Sequence, residues 1–300
     1  MKTLFKIFIL LQCITSIAFT QEVAINETGA ASHRSAMLDA SSTKKGFLPP
    51  RMTAKQRDSI FNPAEGLMIF NLTAGCLNYF FAGSWYEWRG VIPYPDGTIH
   101  CIDTPTAVVE VLNPSTGKSW MDRNLGAKRT AISITDAEAY GDLYQWGRRG
   151  DGHQCRNSQT TNELSFTEKP GHGFFITPTG MPFNWLVSQN TNLWQGVKGT
   201  NNPCPDGYRI PTAAEIEAEF QSWSSPGLTG GFAGPLKWVS GGIRGLDGPM
   251  AVVGSSGVYW TSTTVSNNSS LMLAGLNNAS INVLNRAYGF SIRCIKNQNF

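Results

Sequence analysis

Thirteen residues in the second half of the chain, 204–216, constrain the fold more than any other stretch. They start with Pro-Asp-Gly at 205–207, which favours a tight turn because proline presets φ and glycine accepts a positive φ. Thr212 and Glu215 follow at the spacing of a capping box, in which each side chain binds a backbone amide of the first helical turn. Apolar residues then recur at helical spacing. The stretch therefore predicts a turn, a short strand and one capped helix over residues 212–223.

The first twenty residues have the pattern of a secretory signal peptide, with two lysines, a largely apolar run and then small residues. We therefore expect residues 1–20 to be removed, and the protein to be secreted or exposed at the cell surface. Loss of Lys2 and Lys6 from the total of 24 basic residues leaves 22, against 21 acidic residues. This balance gives no electrostatic reason to expect a nucleic-acid partner. No later stretch approaches eighteen consecutive apolar residues, so no membrane span is expected.

An exported chain can carry disulfides, and five cysteines lie beyond residue 20. Because five is an odd number, at least one thiol lies outside any intramolecular pair. None of the spacings is C-x-x-C, which argues against a zinc knuckle or a thioredoxin-type redox site. Cys155 is expected to pair with Cys101 or with Cys76, and the sequence does not choose between them.

Residues 22–90 are predicted to form a small β-rich module. A brief helix is expected at 53–60, where a capping box begins it, and a strand at 67–70. Residues 76–81 and 84–88 have the pattern of a hairpin whose turn is Ala-Gly. About seventy residues bury only a small core, so this module is expected to pack on a neighbour or to self-associate.

Four motifs in this module occur in a characteristic order: GFLPPRMT at 46–53, QRD at 56–58, PAEGLMI at 63–69 and GSWY at 83–86. They resemble a module of exported proteins from Bacteroidetes-type bacteria, which is similar to segments of tail-fibre-related surface proteins. The resemblance implies a fibre-like protein that forms a homo-oligomer, with a trimer as one candidate, through residues 22–90.

Residues 91–105 are rich in proline and form a linker by composition. The second predicted domain, 106–297, starts with strands at 107–112 and 119–122. Residues 148–202 show no sustained periodicity, which is typical of functional loops or decoration. Further short strands are predicted at 236–239, 251–253, 258–262, 270–274, 280–284 and 290–295.

Five sequence blocks of the second domain occur in a fixed order: WMDRNLG at 120–126, YGDLYQWG at 140–147, CPDGYRIPT at 204–212, YWTS at 259–262 and IRCIK at 292–296. Together they resemble the Fibrobacter succinogenes major paralogous domain over residues 106–297. That family is similar to the C-type-lectin-like fold, which also houses formylglycine-generating enzymes. The resemblance implies an α+β fold with short antiparallel strands around the helix at 212–223. It also implies a structural disulfide between Cys204 and Cys294, the alternative being two buried thiols.

The aromatic residues of the second domain fall into two groups. Those of the irregular region 148–202 are candidates for ligand contact, because exposed loop aromatics stack against sugars or proteins. Their alternative role is to anchor the loops in the core. These candidates are Phe174, Phe175, Phe183, Trp185 and Trp194. The family blocks supply residues expected in the core: Trp120, Asn124, Tyr144, Trp146, Tyr208, Pro211, Trp260 and Arg293.

No catalytic constellation is evident in the sequence. The thiols that a formylglycine-generating enzyme needs near the end of its domain are represented by Cys294 alone. The block at 259–262 has no carboxylate, whereas calcium sites use several. Asp151, His153, Cys155 and His172 are residue types that bind metals, but four histidines scattered over 300 residues make coincidence the simpler explanation. We therefore expect neither enzymatic activity nor a cofactor or metal.

These observations favour a secreted or cell-surface binding or adhesion-type protein, with a glycan or an envelope protein as ligand. The alternative is a structural fibre or envelope component that self-associates. An envelope enzyme is the third possibility.

Overall fold

The computed structural model describes residues 23–88 and 92–298. The chain divides into two compact units, residues 1–90 and 91–300. The predicted signal peptide, residues 1–20, lies outside the described residues. The described residues form three α-helices, α1 (Ala54–Asp58), α2 (Ala213–Gln221) and α3 (Gly227–Ala233), and one short 3-10 helix, Ala137–Ala139. Around them the described residues form 19 strands in six small sheets.

The prediction of an α+β, C-type-lectin-like fold is wrong, because the protein is mainly β. The helix predicted at 212–223 does exist as α2, and its capping box between Thr212 and Glu215 is confirmed. It is, however, one of only three α-helices, which have 5, 9 and 7 residues. The described residues form 19 strands, so strands dominate the structure. Many of the strands have only two residues, which is too short to give a periodic pattern in the sequence. The α+β prediction therefore gave too much weight to this one helix, whose local sequence signals are strong.

The first unit contains a ribbon and a sheet. Its strands are β1 (Val23–Ile25), β2 (Leu38–Ala40), β3 (Arg51–Met52), β4 (Met68–Asn71), β5 (Cys76–Phe81) and β6 (Ser84–Trp88). Strands β1 and β2 pair with each other in parallel, and β3-β4-β5-β6 form one sheet in that order. The predicted hairpin is confirmed: its turn residues Ala82 and Gly83 have φ of 49° and 76°, as two-residue hairpin turns require. The capping box that begins α1 is also confirmed.

The second unit contains four sheets. Its strands are β7 (Glu110–Asn113), β8 (Lys118–Met121), β9 (Tyr144–Gln145), β10 (Thr160–Thr161), β11 (Phe175–Ile176), β12 (Tyr208–Arg209), β13 (Ile243–Arg244), β14 (Met250–Ala251), β15 (Gly257–Val265), β16 (Asn268–Ala274), β17 (Ala279–Asn285), β18 (Gly289–Phe290) and β19 (Ile295–Lys296). The sheets have the orders β12-β19-β8-β7, β14-β13-β18-β9, β15-β16-β17 and β10-β11. The strand predicted at 290–295 is divided between β18 and β19, and the one predicted at 236–239 is not a strand.

Tryptophans dominate the core of the second unit. Six are fully buried: Trp120, Trp146, Trp185, Trp194, Trp238 and Trp260. Four of the six indole N–H groups, those of Trp146, Trp185, Trp194 and Trp260, donate to backbone carbonyls; Trp260, for example, donates to Tyr144 O at 2.7 Å. The indole of Trp238 donates instead to the Glu219 carboxylate at 3.2 Å. All eight residues that the sequence placed in the core are buried.

Two disulfides fasten the second unit. Cys204 is bonded to Cys294, the pair implied by the family resemblance, and both lie in the core. Cys101 is bonded to Cys155, which decides the choice left open above. This second bond holds part of the predicted linker 91–105 against the second unit, and Ile99 adds a backbone hydrogen bond to Gly150 O at 2.7 Å.

Candidate self-association surface

The aromatic residues proposed above for ligand contact are mostly inside the protein. Phe175, Trp185 and Trp194 are at most 1% exposed, so they present no ring to solvent. They anchor the loops, because their rings pack in the core of the second unit and the indoles bind backbone carbonyls. Phe183 is partly buried, and Phe174 is 41% exposed. The structure thus brings no exposed aromatic platform together from this set.

The residues considered as metal ligands are engaged in other bonds. Gln145 N–H donates to Nε2 of His153, whose Nδ1 then donates to Asp151 at 2.6 Å. Burial and the nearby Arg148 guanidinium lower the pKa of His153 to about 4, so the ring is neutral. Cys155 is in a disulfide. Among residues 23–88 and 92–298, no three His, Cys, Asp or Glu side chains are grouped to hold a metal ion.

Asp151 lies at the centre of this buried polar group. Burial raises its pKa, but His153 and Arg148 together outweigh burial and hold the pKa below its usual range. The Arg148 guanidinium donates to the Asp151 carboxylate at 2.8 Å and to Gln145 Oε1 at 2.9 Å. The group is therefore a satisfied internal network that supports the loop at 148–155.

The first unit differs sharply from the second in how little it buries. Of its described residues 23–88, only Ile69, Asn71 and Asn78 are buried, and two of these three are polar. Twelve large hydrophobic side chains are exposed among these 66 residues, against 16 among the 207 described residues of the second unit. A single copy of this unit therefore leaves twelve large apolar side chains in water, which is unfavourable by about 25 cal/mol per Å² of exposed apolar surface.

One face of the four-stranded sheet is covered by α1. Ile69, Asn71 and Asn78 point to this face, as the pairing of Ile69 with Asn78 across β4 and β5 requires. Arg57 of α1 donates to Asn78 at 2.8 Å, and its guanidinium lies 5.7 Å from the ring of Trp85. Asn71 also donates to Asn78 at 2.8 Å. These contacts satisfy the polar groups and shield this side of the sheet with residues of the same chain.

The opposite face of the sheet is apolar and open, and we call it the open face. The strand register places nine side chains on it: Arg51, Met68, Phe70, Leu77, Tyr79, Phe81, Ser84, Tyr86 and Trp88. Tyr79 and Tyr86 stack with ring centroids 5.6 Å apart, and Phe81 lies 6.3 Å from Tyr86. Phe81 and Trp88 remain 59% and 58% exposed. Aromatic side chains on an open sheet face are typical of protein–protein contacts.

The sequence contains a signal for this face in the pattern of strand β5. Strands with one face in water alternate apolar and polar residues, whereas strands buried on both faces do not. Residues 76–81, Cys-Leu-Asn-Tyr-Phe-Phe, carry apolar side chains on both faces. Such a strand in a seventy-residue module predicts that the second face is covered by something outside the module.

Comparisons with known proteins agree with this surface. Residues 24–100 match the family described as phage tail like trimerisation region. The matched range contains β2 to β6 and α1, and with them the whole open face. No curated protein and no solved structure matches the chain. The match supports self-association of a structural, fibre-like protein through this region. The resemblance of residues 106–297 to the Fibrobacter succinogenes major paralogous domain stays a prediction.

Two further findings concern the location of the protein. Its two disulfides are compatible with an extracellular setting. No helix within the described ranges has the length and apolar character needed to span a bilayer.

Proposed function

We propose that this protein is a non-catalytic, structural, fibre-like component that assembles as a homotrimer through residues 24–100. The observation that carries the proposal is the open face, which is apolar, contains stacked aromatic rings and lies in the region that matches a trimerisation family. In the trimer each open face is covered by the neighbouring copies. Every trimer then carries three copies of the second unit.

The trimer is favoured over a ligand-binding role because of where the aromatic residues lie. The binding interpretation named five loop aromatics of the second unit as candidate contacts, and three of those five are buried. Phe81, Tyr86 and Trp88 are exposed together on one sheet face of the first unit, whereas the exposed Phe166 and Phe174 of the second unit lie in irregular segments. A glycan partner has no comparable support, and exposure at the cell surface or secretion remains part of the proposal.

Sedimentation equilibrium of the full chain without residues 1–20 tests the proposal. We expect a mass of three chains for the wild type. Trp88→Asp is expected to give a monomer, because it removes about 2 kcal/mol of apolar burial per copy and adds a charge to the interface. Lys55→Asp is the matched control, since it places the same side chain on exposed α1, on the covered side of the sheet.

Two outcomes decide the matter. A wild type that stays monomeric at high concentration contradicts self-association. A Trp88→Asp variant that remains as trimeric as Lys55→Asp shows that the open face is not the contact surface. Circular dichroism of each variant confirms that the change acts on assembly and leaves the fold intact.

A further inference from the structure

The ribbon of β1 and β2 is a second apolar surface of the first unit, separate from the open face. The two strands pair in parallel, with Val23 beside Leu38 and Ile25 beside Ala40. These four side chains share one face of the ribbon, which we call the ribbon face. Val23, Ile25 and Leu38 are 53%, 60% and 54% exposed.

The other face of the ribbon is different in character. Ala24 and Asp39 lie on it, paired with each other. The Asp39 carboxylate accepts the backbone N–H of His33 at 2.9 Å, which ties it to the connection between the two strands. The ribbon is therefore amphipathic: its single charge is directed away from three exposed aliphatic side chains.

A ribbon of this kind is not stable by itself. Two strands of three residues supply few backbone hydrogen bonds, and even longer isolated pairs of strands are marginal in water. Within the described residues the ribbon forms a sheet of its own and extends none of the other five. The ribbon face therefore needs a cover from outside the ribbon.

We propose that the ribbon face is covered by the ribbon faces of the other two copies in the trimer. The inference rests on the proposed function, and it adds a second contact zone to the open face. The ribbon lies almost entirely within residues 24–100, the range that matches a trimerisation region.

The charge distribution identifies a second copy as the occupant. Around the axis of a cyclic trimer the same patch of each copy meets, so a charged patch there would place like charges side by side. The ribbon face has no charged residue. One ion pair of the same segment is internal to the chain, since Lys45 Nζ and Glu27 Oε1 lie 3.6 Å apart. An uncharged aliphatic face fits a copy of itself, whereas a partner recognised by charge would find nothing to bind there.

Cysteine labelling tests the inference in the full chain without residues 1–20, in a Cys76→Ser background whose mass is first checked by sedimentation. Ile25→Cys places a thiol on the ribbon face, and Ala24→Cys places one on the opposite face of the same strand. We expect a maleimide to label Ile25→Cys at least about tenfold more slowly than Ala24→Cys in the trimer. After dilution to monomers, or in denaturant, the two rates are expected to be equal. Val23→Cys repeats the test in case Ile25→Cys weakens assembly.

The outcomes separate this inference from the proposed function. If both thiols react at the same rate in trimers, the ribbon contact is overturned and the proposed homotrimer is retained. Protection of Ile25→Cys that persists in monomers also overturns it, because the cover then comes from the same chain. A chain that is monomeric at every concentration overturns both proposals.

Discussion

The buried carboxyl of Asp142 makes the stability of the second unit depend on pH in an unusual direction. Asp142 is 6% exposed, and its carboxyl lies against the backbone of Gly126, where an added Cβ would be 2.1 Å from Asp142 Cγ. The Arg156 guanidinium, whose charge lowers the pKa of Asp142, donates its hydrogen bonds instead to the carbonyls of Gly141 and Gly241, at 2.7 and 2.8 Å. Burial therefore outweighs the attraction to Arg156 and raises the pKa of Asp142 to about 7.

The sign and size of the effect follow from linkage. The folded-state pKa lies above the value of about 3.9 for an unfolded aspartate, so the folded state binds the proton more tightly. The stabilisation is complete below pH ~3.9 and is lost as the pH rises through about 7. A difference of about three units corresponds to roughly 4 kcal/mol of unfolding free energy.

Asp142→Asn removes this titration. Relative to the wild type, the free energy of unfolding of Asp142→Asn is expected to rise by roughly 3 kcal/mol between pH 4.5 and pH 8.5, because part of the effect is already lost at pH 4.5. Urea unfolding of the oxidised protein, followed by tryptophan fluorescence at one fixed protein concentration, measures the difference. Asp103→Asn, at an exposed position, is the control and is expected to show no such trend. A difference between Asp142→Asn and wild type that is constant over this pH range refutes the reasoning.

Three further changes in the second unit test its structural account by unfolding measurements. Replacing Cys204 and Cys294 by serine removes the disulfide that closes a loop of 90 residues. This change is expected to lower the free energy of unfolding by about 4–5 kcal/mol. An unchanged unfolding midpoint would contradict a structural role for the disulfide. Thr212→Ala removes the acceptor for Glu215 N–H and is expected to lower the free energy of unfolding by about 1 kcal/mol. Ala214→Ser, at a neighbouring exposed position, is the control and is expected to lower it by less than ~0.5 kcal/mol. Gly126→Ala is expected to lose about 2–3 kcal/mol, because φ is +78° and the new Cβ meets Asp142; full stability of this variant would show that the contact between Gly126 and Asp142 is not tight.

Turn residues and helix caps allowed part of the fold to be predicted from the sequence. The hairpin of β5 and β6 was predicted with its observed ends, since Ala82 and Gly83 mark a turn between two apolar runs. Both capping boxes are present, because Thr53 and Thr212 bind amides only three residues away. Such signals depend on neighbours in sequence, so one chain is enough to reveal them.

Tertiary burial explains much of what the sequence did not show. Residues 290–295 alternate like a strand, yet all six are buried and the strand is interrupted. Within the interruption Arg293 donates to Asn124 Oδ1 and to Leu236 O, at 2.9 and 2.6 Å. Partners that lie 169 and 57 residues away leave no local pattern. The same holds for the buried indoles of residues 148–202, for which the sequence leaves both ligand contact and core anchoring open.

The sequence was enough to predict which region self-associates, but not which side chains form the contact surface. The small size of the module and its fibre-like motifs indicated self-association through residues 22–90. The open face required the strand register, because a shift of one residue would exchange the side chains facing α1 with those facing solvent. The ribbon face required the parallel pairing of β1 with β2, and strands that pair in parallel give no turn signal.

Native mass spectrometry of the full oxidised chain, without residues 1–20, tests the central claim most directly. The account predicts an assembly of three chains, which Trp88→Asp converts to monomers and Lys55→Asp leaves intact. A wild-type spectrum with monomers alone, at concentrations where the protein is folded and both disulfides are formed, would contradict it.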